Sequence, residues 1–139
     1  MAKPIDDFPS RPRLLFRGLT RRCAWCGDQR AYFTGWFRRQ EVCANCGHGY
    51  RRGDSAFELG ATTANIILTF GSILLTILLL VAFTAPDVPI GTVTIVTAAI
   101  GILGPALFYP VSFTLWQAVD LWMRRPTPEE LAGEGDATL

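Results

Sequence analysis

The sequence predicts a membrane protein: an all-α transmembrane hairpin of two helices carrying a small N-terminal β zinc ribbon. Three observations carry that prediction. Charge is confined to the two ends of the chain, so that between Glu58 and Asp120 the only charged residue is Asp87. Two apolar stretches, Ala61–Phe83 and Val88–Val119, lie within that interval. Four cysteines precede them, in two Cys-x-x-Cys-Gly turns. A single soluble domain of 139 residues would keep charge on its surface throughout, and this chain does not. The formal net charge of +1 averages two unlike halves and excludes little.

The first span is expected over 61–83. Its 23 uncharged residues reach about 35 Å at a helical rise of ~1.5 Å, enough for a hydrocarbon core of roughly 30 Å. Ile and Leu occupy all of its faces, whereas a soluble helix of that length keeps a polar stripe. Pro86 and Pro89 break the helix, which sets a turn over 84–89 around Asp87. The second span is expected over 90–119, within 32 uncharged residues that exceed what one perpendicular crossing needs. Pro105 and Pro110 fall inside it and predict a kink, a tilt or a break. Gly60, Gly71, Gly91, Gly101 and Gly104 thin the two helices, as small residues do where membrane helices approach closely. Tyr109, Trp116 and Trp122 suit a headgroup belt, and Arg124 with Arg125 stops the span.

No secretory signal is expected. The N-terminus lacks an apolar stretch and the first one begins near Ala61, so the spans themselves direct insertion. Of 13 basic residues, only Arg124 and Arg125 follow the spans, and the turn has none. Basic flanks stay inside, which predicts a multi-pass protein of the cell (inner) membrane with both termini cytoplasmic. The resulting organisation is a flexible basic arm over 1–20, a cytosolic ribbon over 21–57, the hairpin over 58–123 and a disordered acidic tail over 124–139. Within the arm, residues 13–22 alternate basic and apolar side chains. That segment either lies on the membrane surface through Leu14, Leu15, Phe16 and Leu19, or packs onto the ribbon.

Cys23, Cys26, Cys43 and Cys46 are the candidate metal ligands. Two residues between paired cysteines let a tight turn aim both thiolates at one ion. Gly27 and Gly47 permit the positive φ such turns need. Two such turns a short loop apart read as one tetrahedral structural Zn²⁺ site. The stretch Ala31–Phe37 is expected to form a short hairpin whose aromatics cover the metal. Disulfides would need an oxidising side, which the arginines argue against. A thioredoxin-like pair would need its own α/β domain. A rubredoxin-like iron centre uses similar turns and would mean electron transfer. His48 is expected at the surface, since four thiolates saturate a tetrahedral ion.

A closed site and a lone histidine leave no nucleophile–base pair, so no enzyme and no small-molecule substrate are expected. The partners expected are the lipid bilayer and subunits of a membrane-protein complex. The alternative is a membrane-tethered nucleic-acid-binding or regulatory module, since Trp25, Tyr32, Phe33, Trp36 and Phe37 interleave with arginines. Juxtamembrane topology explains those arginines as well, which disfavours nucleic acid. Asp120 is expected to pair with Arg124 one turn on, and Asn65 to hydrogen-bond across the hairpin.

Four segments carry a resemblance to a family. They are Arg-Gly-Leu-Thr-Arg-Arg-Cys-Ala-Trp-Cys-Gly at 17–27, Cys-Ala-Asn-Cys-Gly at 43–47, Phe-Glu-Leu-Gly-Ala at 57–61 and Tyr-Pro-Val-Ser-Phe-Thr-Leu-Trp-Gln-Ala-Val-Asp at 109–120. In that order, from about Arg17 to Met123, the chain resembles the bacterial family called domain of unknown function 983. It departs from the family pattern at Ala24 and Ala44, where members often have proline. The resemblance implies a membrane-bound zinc-ribbon protein. Through the gene neighbours of some members, it also implies a place in terminal-oxidase (respiratory-complex) biogenesis.

Overall fold

The computed structural model describes residues 9–29, 33–50 and 56–127. Three helices form: α1 (Arg11–Leu19), α2 (Ala56–Thr84) and α3 (Ile90–Met123). Helices α2 and α3 are antiparallel neighbours joined by the proline turn, and α1 packs against α3. Both α2 and α3 are long and apolar enough to cross a membrane, and only 6% of the most apolar window of each is buried. The hydroxyls on these helices bond their own carbonyls one turn back, as in Thr63 to Leu59 and Ser72 to Leu68, which satisfies them without water.

α3 runs unbroken through Pro105 and Pro110, so residues 110–122 continue the helix. A proline removes the N–H that would bond the carbonyl four residues earlier, which is Ala106 for Pro110. The indole Nε1–H of Trp36 donates to that Ala106 oxygen at 2.7 Å, replacing the lost bond. Asn65 Nδ2 donates across the hairpin to the Pro105 carbonyl at 2.9 Å. Of the glycines expected to thin the interface, Gly104 faces Thr69 and Gly60 lies directly beneath the Trp116 indole, whereas Gly71 and Gly91 face open space.

The core sits at the C-terminal end of α3. Between Ile90 and Tyr109 only Gly104 is buried, while from Pro110 to Leu121 no residue is exposed. The second apolar stretch is therefore covered by protein in its last third, where a span was expected to continue to 119. Helix α1 supplies part of the cover. Residues 11–19, expected within a flexible arm, are helical because Pro12 occupies the first turn, where its missing N–H costs nothing. Leu14 is fully buried, so it does not dip into a membrane surface, whereas Phe16 and Leu19 stay exposed. At Gly18 the two backbones touch: a Cβ there would lie 2.9 Å from Ala118 Cβ, and Thr114 Oγ1 donates to the Gly18 carbonyl at 2.6 Å. Residues 1–8 of the expected arm and 128–139 of the expected tail lie outside the described residues.

Among the described residues no strand forms where a β ribbon was expected; there are two isolated antiparallel bridges, Phe33–Arg39 and Val42–Gly49. The cysteine turns consume the backbone bonds of residues 23–28 and 43–48 internally. Among the described residues between them, Phe33, Trp36 and Phe37 turn toward α3. Phe33 and Phe37 both meet Tyr109, with ring centroids 6.1 and 5.5 Å away. Residues 30–32 of the expected hairpin lie outside the described residues.

Candidate metal centre

The two cysteine turns are built alike. In the first, the Gly27 N–H donates to the Cys23 carbonyl at 2.8 Å and the Cys23 N–H to the Asp28 carbonyl at 2.8 Å. In the second, Gly47 donates to Cys43 at 2.8 Å and Cys43 to His48 at 2.9 Å. Both turns close through a left-handed residue, Gly27 at φ 87° and Gly47 at φ 70°, where a side chain would be strained. Each turn thereby presents two sulfurs and backbone N–H groups on one side.

The four sulfurs converge. All lie within 4.8 Å of one another, with Cys23 Sγ 3.9 Å from Cys46 Sγ and Cys26 Sγ 3.7 Å from Cys43 Sγ. These separations are far beyond a disulfide's ~2.05 Å, and all four cysteines are free. A tetrahedral ion with metal–sulfur bonds of ~2.3 Å requires sulfur–sulfur edges of about 3.8 Å. The two measured edges match such an ion, and the remaining ones lie within an ångström of it. Cys23, Cys26, Cys43 and Cys46 are thus brought together as the spacing anticipates, and they could hold one metal ion.

Sulfurs this close cannot ionise independently. Hydrogen bonding to Cys26, Cys43 and Cys46, with burial, pushes the Cys23 thiol far up. The Cys23 bond lowers Cys26 to about 6, assisted by the Asp28 N–H. Cys43 is depressed by hydrogen bonds from Cys23 and Cys46 and by the N–H groups of Cys46 and Asn45. At Cys46 the Cys23 bond and the His48 N–H lower the value, but Cys43 and burial prevail and push it up to about 12. Protons are therefore shared unevenly, and a divalent cation would displace those that remain.

The site is continuous with the core. Cys23 and Cys43 are buried, and Trp25 behind them is 1% exposed. His48, expected at the surface, is buried and stacks on Trp25 at 6.3 Å between centroids. Its carbonyl closes the second turn, as that of Asp28 closes the first. Tyr50 is buried nearby, and desolvation with the Cys43 charge raises its phenol, which stays neutral.

Three residues to which the sequence reading gave no such role attach the site to the helices. Gln117 Oε1, buried on α3, accepts the Ala24 N–H at 3.2 Å. Arg17 Nη1 donates to the Ala24 and Trp25 carbonyls at 3.1 and 2.8 Å and lies against Gly27. Trp36 grips Ala106 from the loop between the turns. A signal existed for two of them. An amide inside an apolar run must find a buried partner, and the proline at 110 announces an orphan carbonyl at 106. Nothing in the sequence pointed to Arg17 among so many arginines.

Asp120 and Arg124 pair at 2.8 Å as their spacing anticipates, with the carboxylate buried and the guanidinium exposed. Near the start of α2, Glu58 pairs with Arg39 at 2.5 Å, and Arg39 lies over the Phe113 ring.

Comparison with protein-family models, with curated proteins and with solved structures found no match for this chain.

Proposed function

We propose that this chain is a non-enzymatic integral membrane accessory or assembly protein of the bacterial inner membrane. In this reading α2 and α3 span the bilayer with both termini cytoplasmic, and the cysteine module is a structural zinc ribbon that engages a partner. The observation that carries the proposal is the closed four-sulfur cluster joined to the helix core through Gln117 and Arg17. Four thiolates fill a tetrahedral ion's coordination, so the metal acts as a cross-link and offers no position to a substrate. A module this small buries too little apolar surface to fold alone, and a bound zinc would supply roughly 10–16 kcal/mol of apparent binding energy. The basic flank ahead of α2 supports the orientation. The resemblance to the domain of unknown function 983 family supports a role in respiratory-complex (terminal oxidase) biogenesis.

The test is recovery of the tagged protein from its own membranes in a gentle detergent, with metal analysis and mass spectrometry on one eluate. One zinc per chain together with oxidase or haem-assembly subunits is the expected result. Iron with visible absorbance would replace this reading with a rubredoxin-like electron carrier. Zinc-loaded protein recovered without membrane partners, but binding oligonucleotides in a salt-sensitive way, would replace it with a tethered nucleic-acid module.

A further inference from the structure

We propose that the loop between the cysteine turns is a membrane anchor: Trp36 and Phe37 insert at the boundary between lipid chains and headgroups, and Arg21 and Arg38 meet lipid phosphate. The inference rests on the reading of α2 and α3 as membrane spans, and it fixes where the metal module sits relative to the bilayer.

Depth follows from the helices. From Ile90 to Tyr109 the largely exposed part of α3 has 20 residues, about 30 Å, the thickness of a hydrocarbon core. Protein cover begins at Pro110. On the partner helix, Phe57 and Ala61 are buried, and the largely exposed part starts at Thr62. The cytoplasmic boundary of the hydrocarbon thus falls near Tyr109 on α3. The Trp36 indole is bonded to the Ala106 carbonyl, three residues inside that boundary, and Phe37 lies against Tyr109 itself.

At that depth both rings face outward. Trp36 is 43% and Phe37 62% exposed, although the loop belongs to the module that holds the buried metal ligands. Indole is the side chain most at home at the headgroup level, with an apolar body and one donor that must be satisfied. Here Ala106 satisfies it and leaves the ring face available to lipid. The flanking charge is of the sign that anionic lipid requires. The Arg21 guanidinium lies 4.8 Å over the Trp36 ring, and Arg38 is exposed beside Phe37. A partner protein would be an alternative cover, but continuity of these rings with the lipid-facing surface of α3 favours the bilayer.

The experiment uses the full chain reconstituted in vesicles containing phosphatidylglycerol, with lipids brominated high on the acyl chain. Flotation first reports whether the chain enters bilayers at all; failure to float overturns the spanning reading and the anchor with it. Trp36 emission is then taken as the difference between the parent and Trp36→Phe. Because that change removes the Ala106 bond, Phe37→Trp provides a second reporter with the bond intact. Both signals are expected to fall about twofold with brominated lipid and to resist aqueous iodide, as interfacial aromatics do. Protein that floats while both signals ignore brominated lipid and yield to iodide would overturn the anchor and leave the spans standing.

Discussion

The two ends of α3 belong to one long helix and have opposite surroundings. Residues from Ile90 to Tyr109 turn their side chains outward, whereas those from Pro110 to Leu121 are covered by α1 and the cysteine module. The difference lies in what each surface can recruit. The first part offers mostly aliphatic chains, surfaces on which lipid is as good a neighbour as protein. The second interleaves hydrogen-bonding groups, Ser112, Thr114, Gln117 and Asp120, that protein can satisfy with directed contacts. A hydropathy run reports only that water is excluded and not which medium excludes it.

The sharpest way to break this contrast is to unfold one side of it. A zinc held by the four sulfurs should be bound far less tightly in Cys26→Ser, since three thiolates and a water replace four thiolates. The module should become protease-sensitive while α2 and the first part of α3 stay in the membrane. Full metal content and unchanged protease resistance in the variant would contradict the site.

Acid should do the same reversibly. Cys26 is held at about 6, below the ordinary thiol value of 9.0, so its thiolate is available above that pH and regains its proton as pH falls through it. Metal should therefore be lost on acidification and not on moderate alkalinisation, read as metal retained after dialysis at a series of pH values.

Packing tests come next. Gly18→Ala forces a methyl into Ala118 Cβ and the Thr114 carbonyl and should destabilise by about 1–3 kcal/mol. Gly91→Ala, on the open part of α3, meets nothing and should be neutral or slightly stabilising. Comparable losses in thermal unfolding of the two detergent-solubilised variants would erase the distinction.

Polar tests are finer. Gln117→Leu strands the buried Ala24 N–H and should cost about 1–3 kcal/mol. Asn65→Leu removes the bond to the Pro105 carbonyl on the exposed part and should cost only about 0.6 kcal/mol, as interhelical bonds in membranes do. Reversal of that order in denaturant titrations would mean that the two parts of α3 share one environment.

Much of this was legible in the residues. The absence of charge located both helices and the turn, and the cysteine spacing located all four converging sulfurs. Local rules also sufficed for Asp120 with Arg124, one turn apart. What escaped was non-local. The burial of Leu14 and Gly18 depends on Thr114 and Ala118 about a hundred positions away, and no periodicity in a nine-residue helix announces that. His48 was misplaced for a related reason: it stacks on Trp25, 23 positions away, a contact no local pattern announces. Of the expected β pairing the described residues show two isolated antiparallel bridges, and Phe33, Trp36 and Phe37 meet α3.

The bond from Ala24 to Gln117 and that from Thr114 to Gly18 join residues 93 and 96 positions apart. During synthesis the N-terminal module emerges first, and its anchoring residues emerge last. At about 5–20 residues per second that gap lasts roughly 5–20 s, a long interval for unprotected thiols and an unburied tryptophan. The cysteine module therefore cannot close on its stem until the last helix has been made.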